Sequence, residues 1–78
     1  RAEDVLDKVR EETAELEAAL RAGERGEVEA ELGDLLFALT SFARHCELDP
    51  EAALAKAADR FSDRFRRLEE DFAARGRE

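Results

Sequence analysis

The chain has 78 residues, with 21 acidic and 13 basic side chains and a formal net charge of −8. That length holds one domain at most, and a field of that sign repels nucleic-acid backbones, which argues against plain DNA or RNA binding. No apolar run approaches the roughly 18 residues of a membrane span, and a lone cysteine, Cys46, cannot form an intrachain disulfide and fits a reducing, cytoplasmic setting.

The chain opens Arg1-Ala2-Glu3-Asp4, which is neither a signal peptide nor an initiator Met, as expected of a trimmed or partial chain. Glycine and proline break it sparsely, at Gly23-Glu24-Arg25-Gly26 and at Leu48-Asp49-Pro50. Between the breaks lie three segments rich in Ala, Leu, Glu and Arg, good helix formers all. The expected helices cover about 3–22, about 27–46 and about 50–75, with no strand-like alternation, internal repeat or linker. The fold class is therefore all-α, an antiparallel bundle of three main helices in a single domain.

The first helix places Val5, Val9, Leu16 and Leu20 on one face. It also carries Glu11-Glu12-Thr13-Ala14-Glu15, an E-E-x-x-E motif whose members three apart share a face. At 100° per residue Glu12 falls inside the apolar arc, and a carboxylate aimed at an apolar face needs a partner.

The second helix carries Glu31-Leu32-Gly33-Asp34, an E-x-x-D on the side of Ala38 and Phe42. From Leu35 to Ala43 it has no charge, in a chain where 44% of residues are charged. A helix apolar all round requires cover on all sides. Two neighbouring helices do not provide it, so a second chain is expected to complete the core. A domain of this size buries only about 60–65% of its unfolded surface, which also favours association. His45 ends this helix, where the local dipole favours it, and His45 and Cys46 make no zinc set.

An antiparallel hairpin sets Glu15 at about 9 Å and Glu31 at about 6 Å from the turn, so the two acidic pairs are expected to face each other. Inward carboxylates repel unless a cation sits among them, and all-oxygen ligands suit Mg²⁺ or Mn²⁺.

In the third helix, Asp49 is placed to N-cap and Pro50 to take the first position, with Gly76 at the expected stop. Leu54, Ala57, Phe61, Phe65, Leu68 and Phe72 form a stripe of near-heptad spacing. Beside it Lys56, Arg60, Arg64 and Arg67 form a column of cations. In an acidic chain that column is either a solvated face paired with Asp59, Asp63 or Glu70, or a surface for polyphosphate.

KVREETAEL (Lys8–Leu16), ELGDLLFAL (Glu31–Leu39), SFARH (Ser41–His45) and LDPEAALAKA (Leu48–Ala57), with the Arg-Phe pairs of the third helix, resemble the MazG family in order and spacing. E-E-x-x-E alone is a weak signal; followed by ELGDLLFAL it is specific. The resemblance implies an all-α fold whose dimer builds helical bundles, as a homodimer or a dimer of dimers. It implies Mg²⁺-dependent hydrolysis of nucleoside triphosphates to monophosphate and pyrophosphate. Glu12, Glu15, Glu31 and Asp34 match the metal ligands, Glu11 and Glu12 the catalytic carboxylates, and Lys8, Lys56, Arg60 and Arg64 the substrate-binding cations. Two departures stand out: the family often has Asn where this chain has Ala58, and relatives commonly continue beyond Gly76 into a segment that closes over the nucleotide. They keep an alternative open, a helical dimerisation module with weak or no turnover.

Overall fold

The computed structural model describes residues 1–76 as three helices: α1 (Ala2–Ala22), α2 (Arg25–His45) and α3 (Pro50–Gly76). The all-helical class and three elements agree with the sequence expectation, and no strand occurs among the described residues. None of these helices is long and apolar enough to cross a membrane.

The first break is shorter than its composition suggests. Gly23 adopts φ 73°, the left-handed conformation that glycine takes without a Cβ penalty, and its N–H donates to the carbonyls of Ala19 and Leu20. Glu24 is extended and its carbonyl accepts from Val28 N–H at 2.9 Å, so α2 already starts at Arg25. Arg25 and Gly26 therefore belong to the helix. A glycine in the first turn is tolerated because those N–H groups lack intrahelical partners in any case.

The second break is capped on both sides. Leu48 N–H donates to Ala43 O at 2.8 Å and Glu47 N–H to Arg44 O at 3.0 Å. These two bonds form a Schellman motif closing α2. The residue in the left-handed position is Glu47, at φ 59°, not a glycine. Asp49 Oδ1 then accepts from the N–H groups of Glu51 at 3.0 Å and Ala52 at 3.3 Å, the N-cap expected for α3. The far end of α3 runs through Gly76 without stopping before it.

α1 and α2 pack side by side as a hairpin, α2 touches α3 only slightly, and α1 does not touch α3. The buried residues are Ala19, Ala38 and Glu12, with Val5, Val9, Leu16, Leu35 and Phe42 half-buried around them. Near the turn Ala19 is buried, while Leu20, placed on the inner face by periodicity, lies open beside Val28 and Leu32.

α3 projects away with the large side chains of its apolar stripe uncovered and only Ala57 half-buried: Phe61 is 73% exposed and Phe72 82%. On α2, Leu36 and Phe37 are exposed as well. The radius of gyration is 17.7 Å, where a compact chain of this length has about 11.5 Å. The chain presents 6870 Å² of surface for 8.8 kDa, against about 4800 Å² for a compact monomer of that mass. A single copy thus packs α1 on α2 and leaves the α3 stripe and part of α2 in water.

Candidate metal centre

The carboxylates of α1 and α2 meet across the hairpin. One oxygen each from Glu12, Glu31 and Asp34 lies within 4.8 Å of the others. Glu12 comes from the inner face of α1, where the packing of Val5, Val9 and Leu16 around it leaves it 6% exposed. Glu31 and Asp34 are three apart on α2 and share one face. Glu31 is half-buried and Asp34 is exposed, so the cluster runs from the helix interface out to solvent.

Two of the inner oxygens have no donor. Glu12 Oε2 and Glu31 Oε2 are both buried without a hydrogen-bond partner. A buried carboxylate oxygen left unpaired carries most of its desolvation cost uncompensated. Glu15, exposed one turn along α1, completes the acidic set: the Glu12 charge, then partial desolvation, then the Glu31 charge push its carboxyl above the usual glutamate range.

A single cation reaches this cluster among the described residues. Lys8 Nζ lies 3.2 Å from Glu12 Oε1 and 3.8 Å from Glu11 Oε1. Its hydrogen bond with Glu12, reinforced by the charges of Glu11 and Glu12, holds the ammonium above the usual lysine range. Glu11 itself is exposed and outside the three-carboxylate group.

Beside the cluster is a small cavity lined by Val5, Lys8, Glu12, Asp34, Phe37, Ala38 and Ser41. Sequence reasoning placed Phe37 in the apolar patch and gave Ser41 no role at the site. The available signal was spacing, since Ser41 lies seven residues after Asp34 and so on the same side of α2.

The basic column of α3 is not gathered here. Lys56 and Arg60 flank a depression at the α2–α3 turn with Asp49, and α3 makes no contact with α1. Among the described residues the ion pair on α3 is Arg66–Asp63 at 3.8 Å, and Lys56, Arg60, Arg64 and Arg67 form none. Of the two readings of the column, pairing with Asp59, Asp63 or Glu70 is not seen among the described residues.

The residues present suit a hard divalent cation. All donors are carboxylate oxygens, two of them are buried and unpartnered, and the repulsion among them is of the kind such an ion removes. The cluster holds no histidine or cysteine.

Comparison with known proteins agrees with this chemistry. The family model described as the MazG nucleotide pyrophosphohydrolase domain matches residues 1–72. A nucleoside triphosphate pyrophosphohydrolase of Escherichia coli K12 is 46% identical over 76 residues, 95% of this chain and 29% of the relative. A nucleoside triphosphate pyrophosphohydrolase/pyrophosphatase MazG of Thermotoga maritima is 43% identical over 68 residues, 87% of this chain and 26% of the relative. The chain thus spans less than a third of the length of these two relatives. No solved structure matches it.

Proposed function

This chain belongs to the family of MazG nucleotide pyrophosphohydrolase domains, and we propose that it hydrolyses nucleoside triphosphates to the monophosphate and pyrophosphate with a divalent cation held by Glu12, Glu15, Glu31 and Asp34. The observation that carries the reading is the pair of buried, unpartnered oxygens, Glu12 Oε2 and Glu31 Oε2, on facing helices. Mg²⁺ is the cation proposed, with Mn²⁺ as its substitute. When bound, the ion supplies positive charge and Lewis acidity at the triphosphate.

The chain's own residues supply the rest. A water attacks the α-phosphorus, the bond from that phosphorus to the bridging oxygen breaks, and pyrophosphate leaves with the electron pair. The water's proton passes to a carboxylate, Glu11 or Glu12. Lys8 stands at the mouth of the cluster, where an ammonium meets phosphate oxygens as a point charge. Lys56, Arg60 and Arg64 form no ion pair among the described residues and are assigned to anionic oxygen, with Arg60 and Arg64 at the charge developing on the leaving group. A nucleotide substrate goes with a cytoplasmic location.

Assembly is part of the proposal. A second copy covers the α3 stripe and the open leucines of α2, making a homodimer or a dimer of dimers. The excess of about 2000 Å² per chain over a compact monomer comes to about 4000 Å² for two copies, within the range that obligate homodimer interfaces bury. It also supplies the closeness of basic column and acidic cluster that one chain lacks.

The test is product analysis over the eight common NTPs and dNTPs with Mg²⁺. Equal amounts of monophosphate and pyrophosphate are expected from at least one of them. Release of orthophosphate, or no turnover with a bound metal, overturns the proposal. The second outcome favours a helical dimerisation module, the reading that Ala58 and the exposed Phe stripe also accommodate.

A further inference from the structure

The site as it stands contains a cation of its own. Five carboxylates, Glu11, Glu12, Glu15, Glu31 and Asp34, gather along one side of the hairpin, and the one cation within 4 Å of any of them among the described residues is Lys8. The two ends of that contact differ in kind. The Glu12 side chain is 8% exposed, fixed by the packing of α1 on α2, whereas Lys8 is 55% exposed on a long flexible stem that reaches in from solvent. The carboxylate therefore keeps its place without the lysine, and what Lys8 contributes is charge. The same ammonium lines the cavity with Glu12 and Asp34, beside the cluster.

We propose that Lys8 is the resident counter-ion of the metal-free site, holding a place at Glu12 that an entering divalent cation takes over, so that Lys8 stabilises the empty protein and weakens its metal affinity. This inference rests on the metal reading given above. The physical argument is competition. A unit charge and a divalent ion cannot both sit against one carboxylate without repelling each other, and in a partly desolvated cleft that repulsion is several times its value in bulk water. Lys8 satisfies Oε1 of Glu12 but leaves Oε2, and Oε2 of Glu31, unpaired. It is thus an incomplete substitute that a divalent ion displaces, and the freed ammonium remains at the cavity mouth.

Calorimetric titration of the metal-free chain with Mn²⁺, without nucleotide, tests the proposal beside thermal melts of the same samples. Lys8→Gln is expected to lower the metal-free melting temperature and to bind Mn²⁺ roughly tenfold more tightly, the scale of one unit charge at such a site. Lys8→Arg, which keeps the cation, is expected to stay within about twofold of the parent. Arg10→Gln removes the same charge from the opposite side of α1, where Arg10 pairs with Asp7, and is expected to change affinity by less than about twofold. Lys8→Gln binding Mn²⁺ as weakly as the parent or more weakly, or Arg10→Gln reproducing its gain, overturns the counter-ion role while leaving the metal site standing. A parent chain that takes up no Mn²⁺ overturns both.

Discussion

Glu12 on α1 and Glu31 on α2 each turn one oxygen, Oε2, into the hairpin where no donor meets it. The pair shares a cluster with Asp34, and the cation at its edge, Lys8, lies against the other oxygen of Glu12, Oε1. A metal-free hairpin would gain stability by replacing Glu31, which has no cation beside it among the described residues, with something neutral, so the arrangement carries a stability cost.

That cost is measurable. Glu31→Gln places an amide N–H₂ beside the Glu12 carboxylate, turning a repulsive contact into a hydrogen bond. The metal-free protein is expected to gain about 1 kcal/mol, which raises the melting temperature of a domain this small by about 4–8 °C. The Mg²⁺-induced rise expected of the parent should fall by more than half. Melting curves with and without Mg²⁺ check both, and a variant that keeps the full Mg²⁺ response places the ion elsewhere.

Glu15 gives the same physics a pH dependence. Its folded pKa lies above the ordinary glutamate value, chiefly through the Glu12 charge. The stabilising form is the protonated one. Its contribution is complete below the unfolded pKa and is lost as pH rises through the raised folded value. Lowering the pH of metal-free protein through the window just above the ordinary glutamate range is therefore expected to relieve a repulsion present at neutrality. Glu15→Gln should melt higher than the parent at pH 7, and the difference should shrink as the pH approaches 4.5. An advantage that is the same at both pH values would remove Glu15 from the cluster.

Much of this was legible before any coordinates. Asp49-Pro50 and Gly23 mark helix ends because each does one thing well there, capping or adopting positive φ, and the helical phase of Glu12 among Val5, Val9 and Leu16 announces a buried carboxylate. The juxtaposition of Glu12 with Glu31 and Asp34 followed from rise per residue on either side of one turn. What stayed hidden depends on three dimensions. Hydrophobicity does not tell which of Ala19 and Leu20 is buried, and it is the smaller residue that is. The Lys8–Glu12 contact was available as an i,i+4 pair, but in a chain so rich in charge that spacing alone does not single it out. The separation of α3 from α1 has no signature at all in one chain, because the stripe reads the same whether its partner is intramolecular or not.

Glu47 was equally unannounced. It closes the Schellman motif after α2 at φ 59°, a conformation costly for any residue with a Cβ. It also sets a negative charge by the C-terminal end of the α2 dipole, the unfavourable sign. Glu47→Gly removes both and is expected to raise stability by about 1 kcal/mol, or about 4–8 °C in melting temperature. Glu47→Ala, which removes the charge but keeps the Cβ, is expected to give less than half of that. Equal gains from Gly and Ala would assign the effect to charge and leave the backbone unstrained.

The last prediction concerns the faces left in water. Phe61, Phe65, Leu68 and Phe72 are each at least 64% exposed, along one side of a helix that its own chain barely touches. If the chain acted as a monomer, Phe65→Ser would be a surface change, worth less than about 0.5 kcal/mol either way. In a dimer whose core that stripe completes, each large side chain contributes roughly 1.5–3 kcal/mol, and the same substitution occurs twice per assembly. The melting temperature of the parent should then rise with protein concentration, because folding and association are linked. Phe65→Ser should lower it by well over the 4–8 °C that about 1 kcal/mol produces in a domain of this size, and should shift the sedimenting species toward monomer at micromolar concentration. In the proposed assembly the acidic cluster and the basic column meet at one triphosphate, so the variant should also lose nucleotide binding while lying far from the carboxylates. A folded monomer with a concentration-independent melting curve, indifferent to Phe65→Ser, would mean that α3 stands free and that the hairpin alone carries whatever activity the chain has.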